Sequence, residues 1–346
     1  MLRFLTAGES HGKAVLAVLE GLPSGLKINK DFIDQELKKR QQGYGRGPRM
    51  KIEEDKVEII SGIKSGFSIG SPLGLMIKNK DFSIERLSQL FCPRPGHADL
   101  AGALKYGFKD IRFVLERASA RETAARVAVG AICKLFLKEF NIFIKSKVLS
   151  IGGQTKKNQM LQKIKEAKEK KDTVGGIFEI VAKGLPVGLG SYVQWDRRLD
   201  ARLAEAIISI PGIKAIEFGL GFGYADKFGS EVHDAIYYSK SKGYFRKTNH
   251  AGGIEGGISN GQELIIRACM KPISTLLNPL DSVNILTKKP AKAVVERADI
   301  CVVEAGGVIA ESCAAFVIAD AFLEKFGADS LSDIKVNYKN YLKRIR

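Results

Sequence analysis

Three of the four histidines in this chain lie in short polar turns that contain glycine. His11 lies in GESHGK, His97 in RPGHAD and His250 in TNHAGG, whereas His233, in SEVHDA, is expected on the surface. Loops carried by a rigid scaffold are where acid–base groups collect, and histidine titrates nearest to neutral pH. A lone histidine is more often structural, so the recurrence is the informative feature. It indicates proton-transfer chemistry.

Arginines form a second candidate set. Arg40, Arg46 and Arg49 surround the segment GYGRG, and Arg297 stands two residues before Asp299. Guanidinium groups bind phosphate and carboxylate in bidentate geometry. Several arginines and histidines without metal-ligand spacing suit an enzyme that acts on a small polyanion.

A further pair, Arg117 and Arg121, flanks the predicted start of a long helix at 119–140. Ser119 is a candidate N-cap with Glu122 three residues later, which is the capping-box spacing. A helix N-terminus offers unpaired N–H groups, so Arg117 with Ser119 is a candidate phosphate site. For Arg121, a structural ion pair with Glu122 or another carboxylate is an equally open interpretation.

Residues 248–275 form a glycine-rich stretch that ends in an apolar strand, predicted at 264–270. Glycine accepts positive φ, so the N–H groups of such a loop can face a phosphate or a flat ring. A cation and two hydroxyls follow the strand, contributed by Lys271, Ser274 and Thr275. Taken alone, the stretch is more typical of a flexible surface loop.

The composition indicates a large core and an anionic partner. Of 346 residues, 45% are hydrophobic, and 55 lysines and arginines against 38 aspartates and glutamates give a net charge of +17. Such an excess suits nucleic acid, a membrane surface or a phosphorylated small molecule. The chain contains no helix-turn-helix, RNP-type or zinc-finger pattern. A basic nucleic-acid-binding protein therefore stays as an alternative supported by charge alone.

Cysteine usage and the N-terminus favour a cytoplasmic protein. No cysteine pair has the CxxC spacing of a metal or redox site, so free, mostly buried thiols are expected. They are Cys92, Cys133, Cys269, Cys301 and Cys313. Polar residues replace the apolar core of a signal peptide, and we expect no run near the roughly 20 apolar residues of a membrane span.

The periodic patterns predict an α+β domain. Strands are predicted at 2–6, 14–20, 57–60, 73–77 and 264–270, with a further strand in ICVVEAGG at 300–307. Helices are predicted at 30–42, 119–140, 163–171 and 310–326, with a short helix ending at Tyr106. Asn29 should cap the first helix and Gly43 should end it. No strand is followed by GxGxxG and a helix, which argues against a Rossmann fold.

Two pairs of similar segments indicate related halves, about 1–150 and 151–346, within one domain. GLPSGL at 21–26 recurs as GLPVGL at 184–189, and ETAARVAVGAI resembles ESCAAFVIADA in the later helix. Segments this short can also agree by chance, so duplication and coincidence both remain open.

The motifs in order along the chain closely resemble those of the chorismate synthase family. They are GESHG (8–12), RQQGYGRG (40–47), RPGHAD (94–99), RASARETAARVAVG (117–130), TNHAGGIEGGISNG (248–261), KPIST (271–275) and RADICVV (297–303). The resemblance runs from residue 1 to about residue 326. It implies a β-α-β sandwich with central helices between antiparallel sheets and pseudo-twofold halves, assembled as a homotetramer.

The same resemblance implies a lyase of the shikimate pathway, which makes aromatic amino-acid precursors. Family members eliminate phosphate from 5-enolpyruvylshikimate 3-phosphate by anti-1,4-elimination and release chorismate. They use reduced FMN without net redox change, and NADPH serves as reductant where the enzyme reduces its own flavin. A general flavin oxidoreductase is the remaining alternative.

Residue roles follow from the resemblance motif by motif. His11 is implied as the acid for the departing phosphate, His97 as a proton donor to the reduced flavin, and Asp299 as a helper in removing the ring proton. Arg40 and Arg46 match positions that bind substrate or NADPH. The implied flavin contacts are Arg117, Ala118, Ser119, Gly256, Lys271, Pro272, Ile273, Ser274, Thr275 and Arg297. Ala118 and Ile300 depart from the common family residues, serine and proline.

Overall fold

The computed structural model describes residues 1–47, 53–296 and 298–345. Its strands are β1 (Arg3–Ala7), β2 (Ala14–Glu20), β3 (Val57–Ile59), β4 (Ile63–Lys64), β5 (Phe67–Ser68), β6 (Leu73–Lys78), β7 (Phe143–Ile151), β8 (Gly176–Lys183), β9 (Ile213–Phe218), β10 (Ile236–Ser239), β11 (Gly243–Arg246), β12 (Ile254–Glu255), β13 (Ile258–Ser259), β14 (Leu264–Met270), β15 (Asp281–Val283) and β16 (Pro290–Lys292). Its α-helices are α1 (Lys30–Gln41), α2 (Asp99–Tyr106), α3 (Arg112–Ala118), α4 (Thr123–Lys138), α5 (Lys157–Glu169), α6 (Leu199–Ile208), α7 (Gly229–Val232), α8 (Val303–Phe326) and α9 (Leu331–Arg344). Short 3₁₀ turns cover Ile84–Arg86, Ala120–Glu122, Trp195–Arg197 and Gly221–Tyr224.

Two four-stranded antiparallel sheets share one strand order. The first runs β1-β2-β6-β3 and the second runs β7-β8-β14-β9, so each places its last strand between its second and third. Along β2 and β14 the side chains alternate between buried and more exposed positions. Each sheet therefore turns one face toward a shared core.

A layer of helices separates the two sheets. Helix α4 packs against β2 and β6, α8 packs against β7 and β8, and the two helices pack on each other, with α1 and α6 beside them. Where they cross, a Cβ on Gly130 would lie only 2.2 Å from the Cβ of Ser312, so glycine permits this close approach. The predicted α+β sandwich with central helices is confirmed.

The two GLP motifs occupy corresponding places in the two halves. Ser68 donates to the carbonyl of Pro23 in GLPSGL, and Ser259 donates to the carbonyl of Pro186 in GLPVGL, both at 2.6 Å. Each serine ends a two-stranded hairpin, β4-β5 in the first half and β12-β13 in the second. We propose on this basis a single domain that contains the two related halves predicted above.

Local capping signals account for α1. The Asn29 side chain accepts a hydrogen bond from the N–H of Phe32 at 3.0 Å, and the helix ends at Gln41, just before Gly43. Gly43 has a φ of +123°, a region that favours glycine. The predicted cap and the predicted stop are both confirmed.

The start of α4 differs from its prediction. Ser119 caps the 3₁₀ turn that precedes the helix, accepting from the N–H of Arg121 at 3.3 Å. Glu122 instead binds Thr6 at 2.7 Å and Arg126 at 2.9 Å. The predicted capping box is therefore wrong, because Glu122 binds Thr6 and Arg126 instead of the backbone N–H of Ser119.

The strand predicted at 300–307 is also wrong. Residues 300–302 have no regular structure, and α8 begins at Val303. Of the 24 residues of α8, 18 are buried, so its apolar run lacks the one-sided pattern that separates helix from strand.

Among the described residues, α8 is also apolar enough to cross a membrane by length and composition. It has 24 residues, and its most apolar 18-residue window has a mean hydropathy of 1.6, which contradicts the expectation that no such run exists. Of its most apolar window, 83% is buried inside the protein. Its place between the sheets identifies it as a core helix.

Candidate active site

The turn that carries His11 joins β1 to β2 and is fixed by Asn79. The Asn79 amide donates to the carbonyl oxygens of Glu9, Ser10 and Gly12 at 3.2, 3.3 and 2.7 Å. Because Asn79 directly follows β6, the first sheet itself sets the position of the turn.

His11 pairs with a buried carboxylate. Its Nδ1 lies 2.9 Å from Oε1 of Glu116, and its backbone N–H donates to Oε2 at 2.8 Å. Burial alone would raise the pKa of Glu116, but hydrogen bonds from His11 and the charge of Arg112 outweigh it and lower that pKa. The ionised carboxylate fixes the ring and leaves Nε2 available for another partner.

Two buried arginines share Asp55 behind the turn. Nη1 of Arg121 lies 2.5 Å from one carboxylate oxygen and Nη1 of Arg40 lies 3.2 Å from the other, while Nε of Arg121 donates to Asn79 at 2.7 Å. Arg121 is therefore paired with a carboxylate other than Glu122. Burial lowers the pKa of Arg40 to about 10, with Asp55 opposing the shift, so Arg40 stays charged at neutral pH.

Arg46 and Asp299 meet at the edge of this cluster. Nε of Arg46 lies 3.6 Å from Oδ1 of Asp299, which also accepts from the N–H of Gly47. The loop is tied down by Ile300, whose N–H donates to the carbonyl of Gly45 at 2.7 Å. Two residues expected here, Arg49 and Arg297, lie outside the described residues.

Three guanidinium groups keep buried nitrogens without hydrogen-bond partners among the described residues. They are Arg46 Nε, Arg112 Nη1 and Arg121 Nη2. Buried donors are normally satisfied, and unpaired ones often mark a place for a ligand or water. Their charge and fork geometry suit an oxyanion such as phosphate.

Arg117 and Ser119 border the same turn. Arg117 donates to the carbonyl oxygens of Gly8 and Thr6 at 2.9 and 3.1 Å. Ala118, between them, packs half-buried against a small satellite core. The structure thus brings together His11, Arg40, Arg46, Asp299 and the segment 117–119.

His97 belongs to a second cluster, built on Asp99. Nδ1 of His97 lies 2.5 Å from Oδ1 of Asp99, and Nε of Arg94 lies 2.8 Å from Oδ2. Arg94 also donates to the hydroxyl of Thr275 at 2.7 Å. Burial raises the pKa of Asp99, but hydrogen bonds from His97 and Arg94 outweigh it and hold that pKa well below its usual range.

The segment KPIST closes this second cluster. Nζ of Lys271 donates to the carbonyl of Gly96 and, at 2.8 Å, to the hydroxyl of Ser274, which in turn donates to Gly96 at 2.7 Å. Burial, reinforced by the charge of Lys214, lowers the pKa of Lys271. Pro272 and Ile273 connect these side chains in the chain. Segments 94–99 and 271–275 therefore lie against each other and together form one corner of the candidate site.

Two residues of the glycine-rich stretch lie apart from these contacts. Gly256 sits in the turn between β12 and β13 with a φ of +58°, and a Cβ there would meet no atom within 4 Å. His250 has structural contacts: its N–H donates to Asp234 at 2.9 Å and its Nδ1 lies 3.1 Å from the carbonyl of Val232. His233 is exposed, as expected.

Sequence reasoning missed the partners of both histidines. Asp99 and Arg94 lie inside the motif RPGHAD, and Glu116 directly precedes RASARET. Proximity to those motifs was the available signal, but only the fold shows which histidine each carboxylate contacts.

The site and fold match one family throughout. A family model described as chorismate synthase covers residues 2–323. A chorismate synthase of Thermoanaerobacter pseudethanolicus is 58% identical over 344 residues, covering 99% of this chain and 98% of its own. One of Caldanaerobacter subterraneus subsp. tengcongensis is 56% identical over 348 residues, covering 100% and 99%.

The chain belongs to the chorismate synthase family. A solved chorismate synthase structure has a TM-score of 0.81 and 40% identity, covering 99% of this chain and 98% of that one. The family resemblance predicted from the motifs is confirmed. His11 and His97 of this chorismate synthase family member both lie in motifs that carried the prediction.

We expect the ionised Asp99 carboxylate to make the free energy of unfolding fall as the pH is lowered into the acid range. Its folded pKa lies below the roughly 3.9 of an unfolded aspartate, so its contribution is complete above that value and is lost as pH falls through the folded pKa. In Asp99→Asn the contribution of Asp99 to the pH dependence of the free energy of unfolding should vanish. Urea unfolding at about pH 6 and about pH 3 measures it. Asp196→Asn, at an exposed position, should retain the wild-type dependence; identical pH curves for Asp99→Asn would contradict the assignment.

Proposed function

We propose that this chain converts 5-enolpyruvylshikimate 3-phosphate to chorismate and phosphate in the shikimate pathway, as a lyase that requires reduced FMN. Family membership supports the reaction. The observation that carries the site is the hydrogen-bonded framework linking His11 through its turn to Asn79 and Arg121, beside guanidinium nitrogens that have no hydrogen-bond partner among the described residues.

The residues suit the expulsion of phosphate from carbon. As the bond breaks, negative charge grows on the leaving oxygens, and positioned cations and a proton stabilise that charge. We assign the proton to Nε2 of His11, since Nδ1 is held by Glu116. Nε of Arg46 and Nη2 of Arg121 supply donors that form no hydrogen bond with described residues, and Asp299 assists loss of the ring hydrogen.

Arg40 acts differently from the other arginines. Its Nε, Nη1 and Nη2 are already bound to Thr123, Asp55 and Ala120, at 3.0, 3.2 and 3.2 Å. We therefore assign it electrostatic support behind the substrate site. Where NADPH is the reductant, Arg40 and Arg46 are the residues proposed to bind it.

Reduced FMN fits the residues of the second cluster. Two hydroxyls and a partly buried cation gather around Gly96, and a side chain there would lie 3.3 Å from Nζ of Lys271, so glycine keeps the corner open. FMN supplies transient electron density to the substrate when bound. His97 is proposed to hold the proton for it. The proposed flavin contacts in the second cluster are Lys271, Pro272, Ile273, Ser274 and Thr275. The others are Arg117, Ala118 and Ser119 beside the His11 turn, Gly256 in the β12-β13 turn, and Arg297, which lies outside the described residues.

The test is anaerobic turnover. Purified protein with FMN, dithionite and 5-enolpyruvylshikimate 3-phosphate should release phosphate and chorismate in equal amounts. Full activity with oxidised FMN and no reductant would contradict the cofactor assignment. Steady NADPH consumption without phosphate release would instead favour the flavin oxidoreductase alternative.

The setting of this activity is also proposed. A small phosphorylated substrate, rather than nucleic acid or membrane, accounts for the anionic partner that the net charge of +17 indicates. We propose a cytoplasmic homotetramer. Sedimentation equilibrium tests the assembly, and a salt-sensitive gel shift with duplex or single-stranded DNA would revive the nucleic-acid alternative.

A further inference from the structure

A cleft separate from the candidate active site lies beside the GYGRG loop, between the helix layer and the edge of the second sheet. It has a volume of about 760 Å³ and is bounded by α1, α4, α5, α8 and strand β7. Its walls are largely apolar, formed by residues such as Phe32, Ile144, Val148, Leu161, Ile164 and Val308. None of these residues belongs to the two histidine clusters.

Two of the three acidic groups that line this cleft, Glu36 and Glu311, are already neutralised, whereas the third, Glu304, is exposed beside the GYGRG loop. Nζ of Lys134 lies 2.5 Å from carboxylate oxygens of both Glu36 and Glu311. Glu311 also accepts from the N–H and hydroxyl of Ser146 at 2.7 and 2.6 Å. A buried, fully paired network of this kind forms a rigid polar floor.

Lys39 and Lys147 at the rim pair with Glu36 and Glu179, but three further lysines there are not neutralised. Lys138, Lys145 and Lys157 line the cleft, are exposed, and form no ion pair with residues that the structure describes. The cleft therefore combines apolar walls, a satisfied floor and free positive charge at its mouth.

The GYGRG loop separates this cleft from the candidate active site. A Cβ on Gly45 would lie 2.9 Å from Ile164 of the cleft wall, and a Cβ on Gly43 would lie 2.9 Å from a carboxylate oxygen of Glu304. On its other side the same loop places Arg46 against Asp299. The two sites are distinct but share this wall.

We propose that the cleft is a binding site for a small amphipathic anion, one that carries a ring-sized apolar body and a single carboxylate or sulfonate. Its volume lies in the range of about 300–1,000 Å³ that small-molecule sites occupy. The apolar walls desolvate the body of the ligand, and the rim lysines attract its charge. The paired floor offers little to a cation, because both carboxylates are bound by Lys134.

The probe is 8-anilinonaphthalene-1-sulfonate, an aromatic anion that fluoresces in apolar surroundings. Titration of the full-length protein should show one saturable site per chain. Lys138→Glu/Lys145→Glu should raise the Kd about tenfold or more through repulsion. Lys339→Glu/Lys343→Glu, exposed on α9 with the same change in net charge, should leave the Kd unchanged.

A steric variant separates shape from charge. Val308→Phe narrows the cleft and should also raise the Kd about tenfold. Unchanged affinity in the folded double-lysine variant would overturn the proposal, as would displacement of the probe by saturating FMN. Because the titration uses no turnover, its outcome is independent of whether the chain makes chorismate.

Discussion

His11→Ala is expected to lower kcat by about 10²–10⁴-fold, the usual range for loss of a general acid or base. The variant leaves the phosphate to depart as an unprotonated anion, stabilised only by the surrounding arginines. Anaerobic phosphate release with reduced FMN measures the effect. A rate near that of wild type would contradict the role of His11.

Glu116→Gln tests how His11 is held. The amide keeps the size of the side chain but removes the negative charge 2.9 Å from Nδ1. We expect a smaller loss of kcat than in His11→Ala, together with a displaced pH profile, which a purely structural role would not produce. The control is His233→Ala, which changes an exposed histidine and should retain wild-type turnover.

His97→Ala is expected to reduce kcat by about 10²–10⁴-fold for a different reason. The second cluster loses the group proposed to hold the flavin's proton, while Lys271 and Ser274 keep their contacts with Gly96. FMN affinity, measured by quenching of flavin fluorescence, should therefore stay close to that of wild type.

In His97→Ala, kcat should fall while FMN affinity stays close to that of wild type. A large loss of FMN binding with little change in kcat at saturating FMN would make His97 a cofactor-binding residue and overturn its assignment as a proton donor. Comparison with Asp99→Asn shows whether the buried carboxylate acts through the ring orientation of His97, since the two lie 2.5 Å apart.

Local patterns predicted the elements whose stabilising contacts are local or one-sided. Strands 14–20 and 264–270 match β2 and β14 residue for residue, because each is a short apolar run bounded by polar or glycine-containing turns. Helix α1 was predicted to within one residue, since Asn29 caps it and Gly43 follows it. The histidine turns were visible because polar residues and glycine interrupt apolar strands.

Contacts between distant residues could not be predicted in the same way. His11 and Glu116 are 105 residues apart, and Arg94 and Thr275 are 181 apart, so nothing local indicates either pair. The 300–307 segment was misassigned because α8 is buried on nearly all sides. The clustering of the catalytic candidates was therefore expected from family resemblance, and their partners come from the fold.

The crossing of α4 and α8 at Gly130 and Ser312 bears on how this chain folds and unfolds. Each helix belongs to a different half, yet each covers the sheet of its own half while packing on the other helix. Neither half would close its apolar core alone, since removing one exposes the face of the remaining helix that packs on the other helix. The chain should therefore unfold in one cooperative transition, and fragments cut in the turn between α4 and β7, which leaves each sheet whole, should recover structure only when mixed.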